Sequence, residues 1–349
     1  MFGLWSPSVD RAGGGRSVPG SSSAPFRWGF IGAGHIASTQ LAPAVHASTE
    51  CVLYAAAARD IERARALEPV GPAYADYAGL CADPDVDGVY ISLHNTAHLE
   101  WIKHALAAGK HVLCEKPLCL TEAETAEAFD AAAAAGRTLV EAFWYRWHPR
   151  TRRAEQLVTA GELGDIVEVE AAFCFGGLQP DNIRLAADLG GGALYDVGCY
   201  TVSAAQWALG DLSVMDASAR YSTGGVDLQT HATLAGRTGR ARVECSIDSE
   251  PRDAIVLRGS AGTLEFTGGK GFAARRADAV SLHIVDADGV GRDEPFPAAD
   301  AYRLMTESFA RLVRGGDEFV MTPAESLALA RTTDAIRSQA RAGSEAGAG

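Results

Sequence analysis

Two short stretches of this chain combine residue types that can move a proton. Residues 189–200 read LGGGALYDVGCY and place the carboxylate of Asp196 four residues before the phenol of Tyr200. Residues 115–117 read Glu-Lys-Pro and supply the amine of Lys116. If the first stretch is helical, its spacing puts Asp196 and Tyr200 on one helix face. A phenol and an amine at one site predict proton transfer to a carbonyl oxygen or from a hydroxyl.

The acidity of Tyr200 decides whether it can exchange protons at neutral pH. A phenol has a pKa of about 10 in water, so it needs help from its surroundings. We expect the ammonium of Lys116 to lower the pKa of Tyr200 and to bond to the reacting oxygen. Asp196 then orients a substrate hydroxyl or Lys116. The alternative interpretation is a helix-face pair whose polar atoms are satisfied inside the protein.

A glycine turn near the start of the chain has the pattern of a dinucleotide site. The turn reads Gly32-Ala33-Gly34-His35-Ile36-Ala37, between an apolar strand pattern and a helical one. This is the setting of the dinucleotide fingerprint, with alanine in the third glycine position. The first glycine permits a tight turn, and the second lets the backbone approach a pyrophosphate at the positive end of a helix. Together with Lys116 and Tyr200, the turn predicts hydride transfer with a nicotinamide cofactor.

The end of the second predicted strand distinguishes NAD from NADP. NAD-binding domains place an acid about 20 residues after the turn to hold the ribose hydroxyls. Here Ala58 occupies that position and Arg59 follows it. A guanidinium at this place can hold the 2′-phosphate of NADP(H) by a charge-assisted hydrogen bond. The alternative makes Asp60 the ribose ligand. We interpret Asp60 as the N-cap of the next helix and predict NADP(H) as the cofactor.

Composition excludes several other classes of protein. The chain has 349 residues, of which 47% are hydrophobic, and a formal net charge of −13 at pH 7. This acidic balance argues against the basic face that nucleic-acid binding needs. No apolar run reaches the roughly 20 residues of a membrane span. The seven cysteines form no CxxC pair, so we predict no metal site and a reducing, cytoplasmic location.

The order of the apolar patterns predicts an α/β protein with two domains. In residues 26–147, apolar runs alternate with helical stretches, which indicates a doubly wound parallel sheet. In residues 148–341, segments of alternating polarity indicate an α+β domain with a large, mainly antiparallel, open-faced sheet. Residues 1–25 are rich in Gly, Ser and Pro and predict a disordered tail, and residues 342–349 predict a frayed end.

The chain resembles the glucose–fructose oxidoreductase/inositol dehydrogenase/MocA family. The similarity covers residues 26–341 and rests on GAGHIA, YISLHNTAH, HVLCEKP, EAFWYRWHP and GGGALYDVGCY. The resemblance implies a Rossmann domain followed by a domain whose open sheet usually serves in oligomer contacts. Many members have histidine where this chain has Tyr200. The chain thus looks like the branch of deoxysugar 3-ketoreductases, D-xylose dehydrogenases and trans-dihydrodiol dehydrogenases, which use tyrosine as acid/base.

The resemblance also implies roles for individual residues. It makes Lys116 the active-site lysine beside the nicotinamide and Glu115 a neighbour of the cofactor. It places Leu93, Asn95 and His98 along the dinucleotide site.

Four further residues are candidate substrate ligands because of their positions. Asn182 and Arg184 precede the glycine run and could reach hydroxyls or a phosphate of the substrate, although both are equally compatible with a polar surface loop. Tyr145 and Trp147 lie where the first domain passes into the second. Their rings could stack on a sugar, and the alternative is core packing across the domain boundary.

These observations together predict an NADP(H)-dependent oxidoreductase that interconverts a carbonyl and a secondary alcohol on a sugar or nucleotide-sugar. Reduction of a keto group is the first expectation, and an NADP-dependent aldose or trans-dihydrodiol dehydrogenase is the close alternative. Two alternatives belong to other classes: a glycoside hydrolase that retains NAD, and a non-catalytic NADP sensor, which would lack the amine and the phenol. We expect a homo-oligomer, dimer or tetramer, and no nucleic-acid or membrane partner.

Overall fold

The computed structural model describes residues 24–346, which form two β-sheets flanked by helices. The predicted architecture, a parallel sheet followed by a mainly antiparallel one, is confirmed. The predicted tail over residues 1–25 lies almost entirely outside the described residues.

Six parallel strands form the first sheet. They are β1 (Phe26–Ile31), β2 (Cys51–Ala57), β3 (Ala73–Tyr74), β4 (Gly88–Ile91), β5 (His111–Glu115) and β6 (Leu139–Ala142). Their order across the sheet is β3-β2-β1-β4-β5-β6, the order of a Rossmann domain. Such sheets bind ligands at the carboxyl ends of their strands, so the residues after β1, β4 and β5 share one edge.

Five helices connect these strands. They are α1 (Ala42–His46), α2 (Ile61–Arg65), α3 (Tyr77–Ala82), α4 (His98–Ala107) and α5 (Glu122–Ala135). Thr121 caps α5, because its Oγ1 accepts a hydrogen bond from Glu124 N at 3.1 Å. The helical backbone over residues 35–46 contains a segment of wider π turns at Ala37–Leu41. Pro43 follows directly and has no amide hydrogen, so the regular α-helical ladder cannot pass through it.

Eight strands form the second sheet. They are β7 (Ile166–Cys174), β8 (Ser213–Tyr221), β9 (Asp227–Ala235), β10 (Arg240–Ser246), β11 (Arg252–Gly259), β12 (Gly262–Phe266), β13 (Val280–Val285) and β14 (Gly291–Phe296). Their order is β14-β13-β12-β11-β7-β10-β9-β8, and all pairs are antiparallel except β7 with β10. Its inner face shares a core with α6 (Pro149–Thr159) and α7 (Cys199–Leu209). The last strand, β14, lies at one edge of this sheet and contains a proline, as only edge strands tolerate.

Two late helices connect the sheets. In α8 (Ala301–Val313), Phe309 is fully buried against Trp28 of β1, with ring centroids 5.0 Å apart. The first sheet is therefore covered in part by a helix from the end of the chain. The last helix, α9 (Pro323–Ala346), extends into the residues predicted to be frayed. Glu122 N donates to Asp334 Oδ2 at 2.8 Å, which ties α5 to α9.

Within residues 24–346, every helix is too short or too polar to cross a bilayer.

Candidate active site

The glycine turn after β1 lies at the carboxyl edge of the first sheet, packed tightly against the backbone that follows β4. Gly32 has φ +98°, and a Cβ atom there would lie 2.3 Å from the carbonyl oxygen of Ser92. At Gly34 a Cβ would meet its nearest neighbour only at 3.7 Å, so this part of the turn is open. Helical backbone begins at His35, whose side chain is exposed, while Ala33 and Ile36 are half-buried. The turn therefore fits a dinucleotide pyrophosphate: only glycine fits at its first position, and it leads into a helix N-terminus.

Two arginines lie on the β2 side of this turn. Arg59 is exposed directly after β2. Asp60 Oδ1 accepts a hydrogen bond from Glu62 N at 3.0 Å, so Asp60 caps α2 as predicted. Arg63, one turn further along, donates from Nη2 to the carbonyl oxygen of Ala33 at 2.7 Å. Arg63 was not among the predicted cofactor ligands, although its spacing from Arg59 at the start of a helix was an available signal.

Lys116 and Asp196 form a buried ion pair between the two domains. The Lys116–Pro117 peptide bond is cis. Lys116 Nζ donates to the backbone oxygen of Asp196 at 2.6 Å and to its Oδ1 at 3.3 Å. Arg184 Nε donates to the other carboxylate oxygen at 2.5 Å. Burial alone would raise the pKa of Asp196, but Lys116 and Arg184 hold it below its usual range. Burial alone would lower the pKa of Lys116, and Asp196 more than reverses this. Both groups therefore stay charged.

Tyr200 lies in the first turn of α7, directly beside this ion pair. Its side chain is buried, and Trp144 Nε1 donates a hydrogen bond to its hydroxyl oxygen at 2.8 Å. Lys116 Nζ lies 5.0 Å from the centroid of the Tyr200 ring. The structure thus brings together the amine, the carboxylate and the phenol that the sequence singled out. The ammonium lies over the face of the ring and bonds to Asp196.

The expected effect of Lys116 on the acidity of Tyr200 is wrong. Burial, together with the neighbouring Tyr302 and Glu115, raises the pKa of Tyr200 well above its usual value. The positive charge of Lys116 is offset by Asp196, so it does not compensate for the burial. Tyr200 therefore carries its proton at neutral pH, which is the state of a proton donor.

The glycine run positions the carboxylate and the phenol. Gly192 has φ +127°, and a Cβ atom there would lie 2.1 Å from Asp227 Oδ1. Asp227 Oδ2 accepts a hydrogen bond from Leu194 N at 2.7 Å. At this point the chain enters a π-helical segment, Leu194–Gly198, where an α-helix was expected. The glycine run therefore permits a close approach that a side chain would block, and Asp227 is an anchor that no sequence pattern indicated.

Two predicted neighbours of the cofactor lie at the same edge as the glycine turn. A Cβ atom added to Gly32 would come within 3.0 Å of Leu93 Cδ2. Asn95 Nδ2 donates to the carbonyl oxygen of Gly190 at 2.8 Å, which ties the loop after β4 to the glycine run. Asn95 is thus a contact between the two domains.

Glu115 and His98 are enclosed by the protein. Glu115 Oε1 accepts a hydrogen bond from Tyr90 Oη at 2.7 Å, and burial raises the pKa of Glu115. The ring of His98 has no exposed surface, and its nitrogens face the carbonyl oxygens of Pro117 and Leu93 at 2.9 and 3.3 Å. The place of His98 along the dinucleotide site stays a prediction, and its ring has no surface open to a ligand in this structure. Through these two contacts, the ring of His98 connects the loop after β4 to the loop after β5.

The predicted substrate ligands have different places. Arg184 is partly exposed and contacts Asp196, and Asn182 Oδ1 caps the short turn before it by accepting from Arg184 N at 3.0 Å. Tyr145 is 1% exposed and bonds to Ser203, while Trp147 is 5% exposed and packs on Phe319. Both rings are buried, which favours the alternative of core packing across the domain boundary over stacking on a sugar.

Family models match both domains of the chain. The model described as an oxidoreductase family with an NAD-binding Rossmann fold matches residues 26–143. The model of the GFO/IDH/MocA C-terminal domain matches residues 151–265. The chain belongs to the GFO/IDH/MocA oxidoreductase family.

Characterised members of the GFO/IDH/MocA family align with nearly the whole chain. D-xylose 1-dehydrogenase (NADP(+)) 2 of Haloferax volcanii is 40% identical over 324 residues, which is 90% of this chain and 98% of that protein. A dTDP-3,4-didehydro-2,6-dideoxy-alpha-D-glucose 3-reductase of Actinomadura kijaniata is 33% identical and covers 91% and 96% of the two chains. A crystal structure of a 3-ketoreductase from A. kijaniata, with NADP and TDP-benzene, superposes with a TM-score of 0.83 at 32% identity. It covers 90% of this chain and 98% of its own.

Metal chemistry has no candidate site in the part of this family member that the structure describes. Residues 24–346 contain no cluster of three or more His, Cys, Asp or Glu side chains suited to a metal ion. All seven cysteines are buried free thiols.

Proposed function

We propose that this protein is an NADP(H)-dependent oxidoreductase that interconverts a carbonyl and an alcohol on a sugar, with Tyr200 as the acid/base. The observation that carries the proposal is the meeting of Lys116, Asp196 and Tyr200 at the carboxyl edge of the Rossmann sheet. This edge also holds the glycine turn at Gly32, where a dinucleotide is expected to bind.

The residues at this edge suit NADP(H) as the cofactor. Gly32 makes the tight turn, and Gly34 leaves open space for a pyrophosphate beside the helix that begins at His35. Arg59 and Arg63 provide two positive charges for a 2′-phosphate, and Asp60 is engaged as a helix cap. The relatives from Haloferax volcanii and Actinomadura kijaniata, whose names and structures include NADP, support the same choice.

The side chains provide a path for the proton. NADP(H), when bound, supplies or accepts the hydride at the substrate carbon. In the reducing direction, Tyr200 gives its hydroxyl proton to the carbonyl oxygen and becomes a phenolate. Lys116 donates a hydrogen bond to the same oxygen as negative charge develops on it. Asp196 keeps Lys116 charged and in place, and Arg184 holds Asp196 from the exposed side. In the oxidising direction, the substrate hydroxyl gives its proton to the minor phenolate form of Tyr200, so this direction should be faster at higher pH.

The substrate is either an aldose or a keto-sugar, and specific observations favour each. The 40% identity with a D-xylose 1-dehydrogenase over almost the full length favours aldose oxidation. The fold similarity to a nucleotide-sugar 3-ketoreductase favours reduction of a ring ketone. Both reactions use the same acid/base and the same sheet edge, so the arrangement of Lys116 and Tyr200 serves either substrate.

The test follows the absorbance of the reduced cofactor in both directions. Purified protein is mixed with NADP or NAD and D-xylose, other aldoses or a dihydrodiol, and with NADPH or NADH and keto-sugars. We expect turnover with NADP(H) and loss of about 10²–10⁴ in turnover in Tyr200→Phe and Lys116→Ala. Tyr145→Phe, which alters a neighbouring buried phenol, is the matched control and should retain activity. Sugar cleavage without net change of cofactor absorbance would instead indicate a hydrolase, and near wild-type activity of Tyr200→Phe would contradict the proposed acid/base.

We also propose that the outer face of the second sheet joins copies of this chain in a homo-oligomer, and that the enzyme acts in the cytoplasm. Charged side chains of β7, β10 and β11 form ion pairs across this face. Glu168 pairs with Arg242 at 3.2 Å, and Glu244 pairs with Arg252 at 2.6 Å. Arg252→Glu should reverse the charge in the centre of the face and lower the mass measured by light scattering. An unchanged mass would place the contact elsewhere.

A further inference from the structure

The hydroxyl oxygen of Tyr200 accepts a hydrogen bond from a residue that lies outside the proton path proposed above. Trp144 Nε1 donates to this oxygen at 2.8 Å. An indole N–H can only donate, so the hydroxyl of Tyr200 accepts this bond and its own hydrogen points in another direction. Trp144 therefore fixes the position of the oxygen without taking its proton.

The indole of Trp144 is itself held in place. It follows β6 in a short 3-10 helix, Trp144–Trp147. Its ring lies parallel to that of Tyr302 on α8, with centroids 4.8 Å apart and an angle of 18° between the planes. The Tyr200 ring is enclosed by aromatic neighbours, including Phe143 at 5.3 Å and Phe173 at 5.5 Å between centroids. Donor and acceptor are thus both fixed by packing, so the hydrogen bond needs no rearrangement when the proton moves.

The remaining surroundings of Tyr200 work against its ionisation. The titratable or charged groups that face it are Glu115, Lys116, Tyr145, Arg184, Asp196, Cys199 and Tyr302. Lys116 is bonded to Asp196, and burial raises the pKa of the phenol. A donor aimed at the oxygen favours the ionised form over the neutral one.

We propose that Trp144 is a positioning residue for proton transfer, whose indole N–H stabilises the phenolate form of Tyr200. This inference rests on the proposed role of Tyr200 as the acid/base. In reduction, the O–H bond of Tyr200 breaks, its proton moves to the substrate oxygen, and the electron pair of that bond stays on the phenolate oxygen. The substrate carbon receives the hydride of the reduced cofactor. The bond from Trp144 becomes charge-assisted in this step and so strengthens as the proton leaves.

The first test measures ionisation directly and does not need turnover. A fluorinated tyrosine, whose phenol is more acidic, is placed at position 200 and titrated by ¹⁹F NMR. Trp144→Phe keeps an aromatic ring against Tyr302 but removes the donor, and we expect it to raise the measured pKa by about 1–2 units. Trp207→Phe is the matched control, because Trp207 lies on the same helix as Tyr200 and packs into the core of the second domain. Equal titration of Trp144→Phe and the parent protein would overturn the proposal.

The second test uses activity. The pH profile of kcat/KM for alcohol oxidation should move to higher pH in Trp144→Phe, with about 10- to 100-fold loss of kcat near neutral pH. In a Tyr200→Phe background, Trp144→Phe should cost nothing more, whereas a merely structural tryptophan would lower activity in both backgrounds. If no sugar is turned over by the parent enzyme, the proposed function fails, and the NMR titration still decides the role of Trp144.

Discussion

At the scale of single residues, charge pairing decides which groups remain free for chemistry. Asp196 contacts both Lys116 and Arg184, so one carboxylate orients two cations at the domain boundary. Tyr200 has no such ion pair, and it keeps its proton because it is buried. The site therefore separates a charged hydrogen-bond donor, Lys116, from a neutral acid, Tyr200.

Cofactor selectivity also belongs to this scale. We expect Arg59→Ala and Arg63→Ala each to weaken NADPH binding by about 10- to 100-fold, because a charge-assisted hydrogen bond to the 2′-phosphate is lost. NADH binding should change little in both variants. Arg65→Ala is the control, since Arg65 lies on the same helix but pairs with Glu62. Titration by cofactor fluorescence measures these affinities. Equal losses for NADPH and NADH would remove both arginines from the 2′-phosphate site.

At the scale of elements, the start of the helix that carries Tyr200 is the sensitive point. The π-helical segment Leu194–Gly198 begins where Asp227 holds the amide of Leu194. The same carboxylate accepts a hydrogen bond from Thr230 Oγ1 at 3.0 Å. Asp227, the first residue of β9, thus fixes the beginning of this helix. The glycines that precede the helix leave this part of the chain flexible in the unfolded state.

Removing this anchor should disturb both stability and activity. Asp227→Ala leaves a buried amide without an acceptor, which we expect to cost about 1–3 kcal/mol of unfolding free energy. Displacement of Asp196 and Tyr200 should lower kcat by about 10-fold or more, while NADPH affinity stays unchanged. Asp216→Ala, an exposed carboxylate on β8, should change neither quantity. Chemical denaturation and steady-state kinetics give the two values. A wild-type kcat in Asp227→Ala would show that Asp196 and Tyr200 are positioned without this carboxylate.

At the scale of the whole molecule, buried carboxylates make stability depend on pH. Glu141, at the end of β6, accepts a hydrogen bond from Leu118 N at 2.9 Å and is 2% exposed. Burial raises its pKa to about 7. The unfolded chain releases this proton at lower pH than the folded protein does. The contribution of Glu141 to the free energy of unfolding therefore falls as the pH rises from the pKa of this carboxyl in the unfolded chain towards about 7.

Glu141→Gln should remove this dependence. Relative to wild type, the variant should gain about 2 kcal/mol of unfolding free energy between about pH 5 and pH 8. Glu127→Gln, at an exposed position paired with Lys103, is the control and should follow the wild-type slope. Urea denaturation at several pH values measures the difference. Parallel curves for Glu141→Gln and wild type would mean that Glu141 does not bind a proton in this range.

Local patterns determined most of the architecture of this protein from the sequence alone. The Gly32 turn, the buried strands, the helix cap at Asp60 and the short spacing between Asp196 and Tyr200 all depend on neighbours within a few residues. Such features follow from local residue preferences and hydrophobic periodicity, and both can be read from the order of the residues. The Glu-Lys-Pro stretch supplied Lys116 as a third group, and the resemblance to a known family implied its place beside the nicotinamide.

Only the tertiary structure decided which residues face the site and how acidic they are. It buried Tyr145, Trp147 and His98, added Arg63 and Asp227, brought α8 back to the first sheet, and placed the N–H of Trp144 on the oxygen of Tyr200. These contacts join residues far apart in the chain. The pKa of Tyr200 is set by desolvation, which depends on everything packed around the phenol and on no single pattern in the sequence.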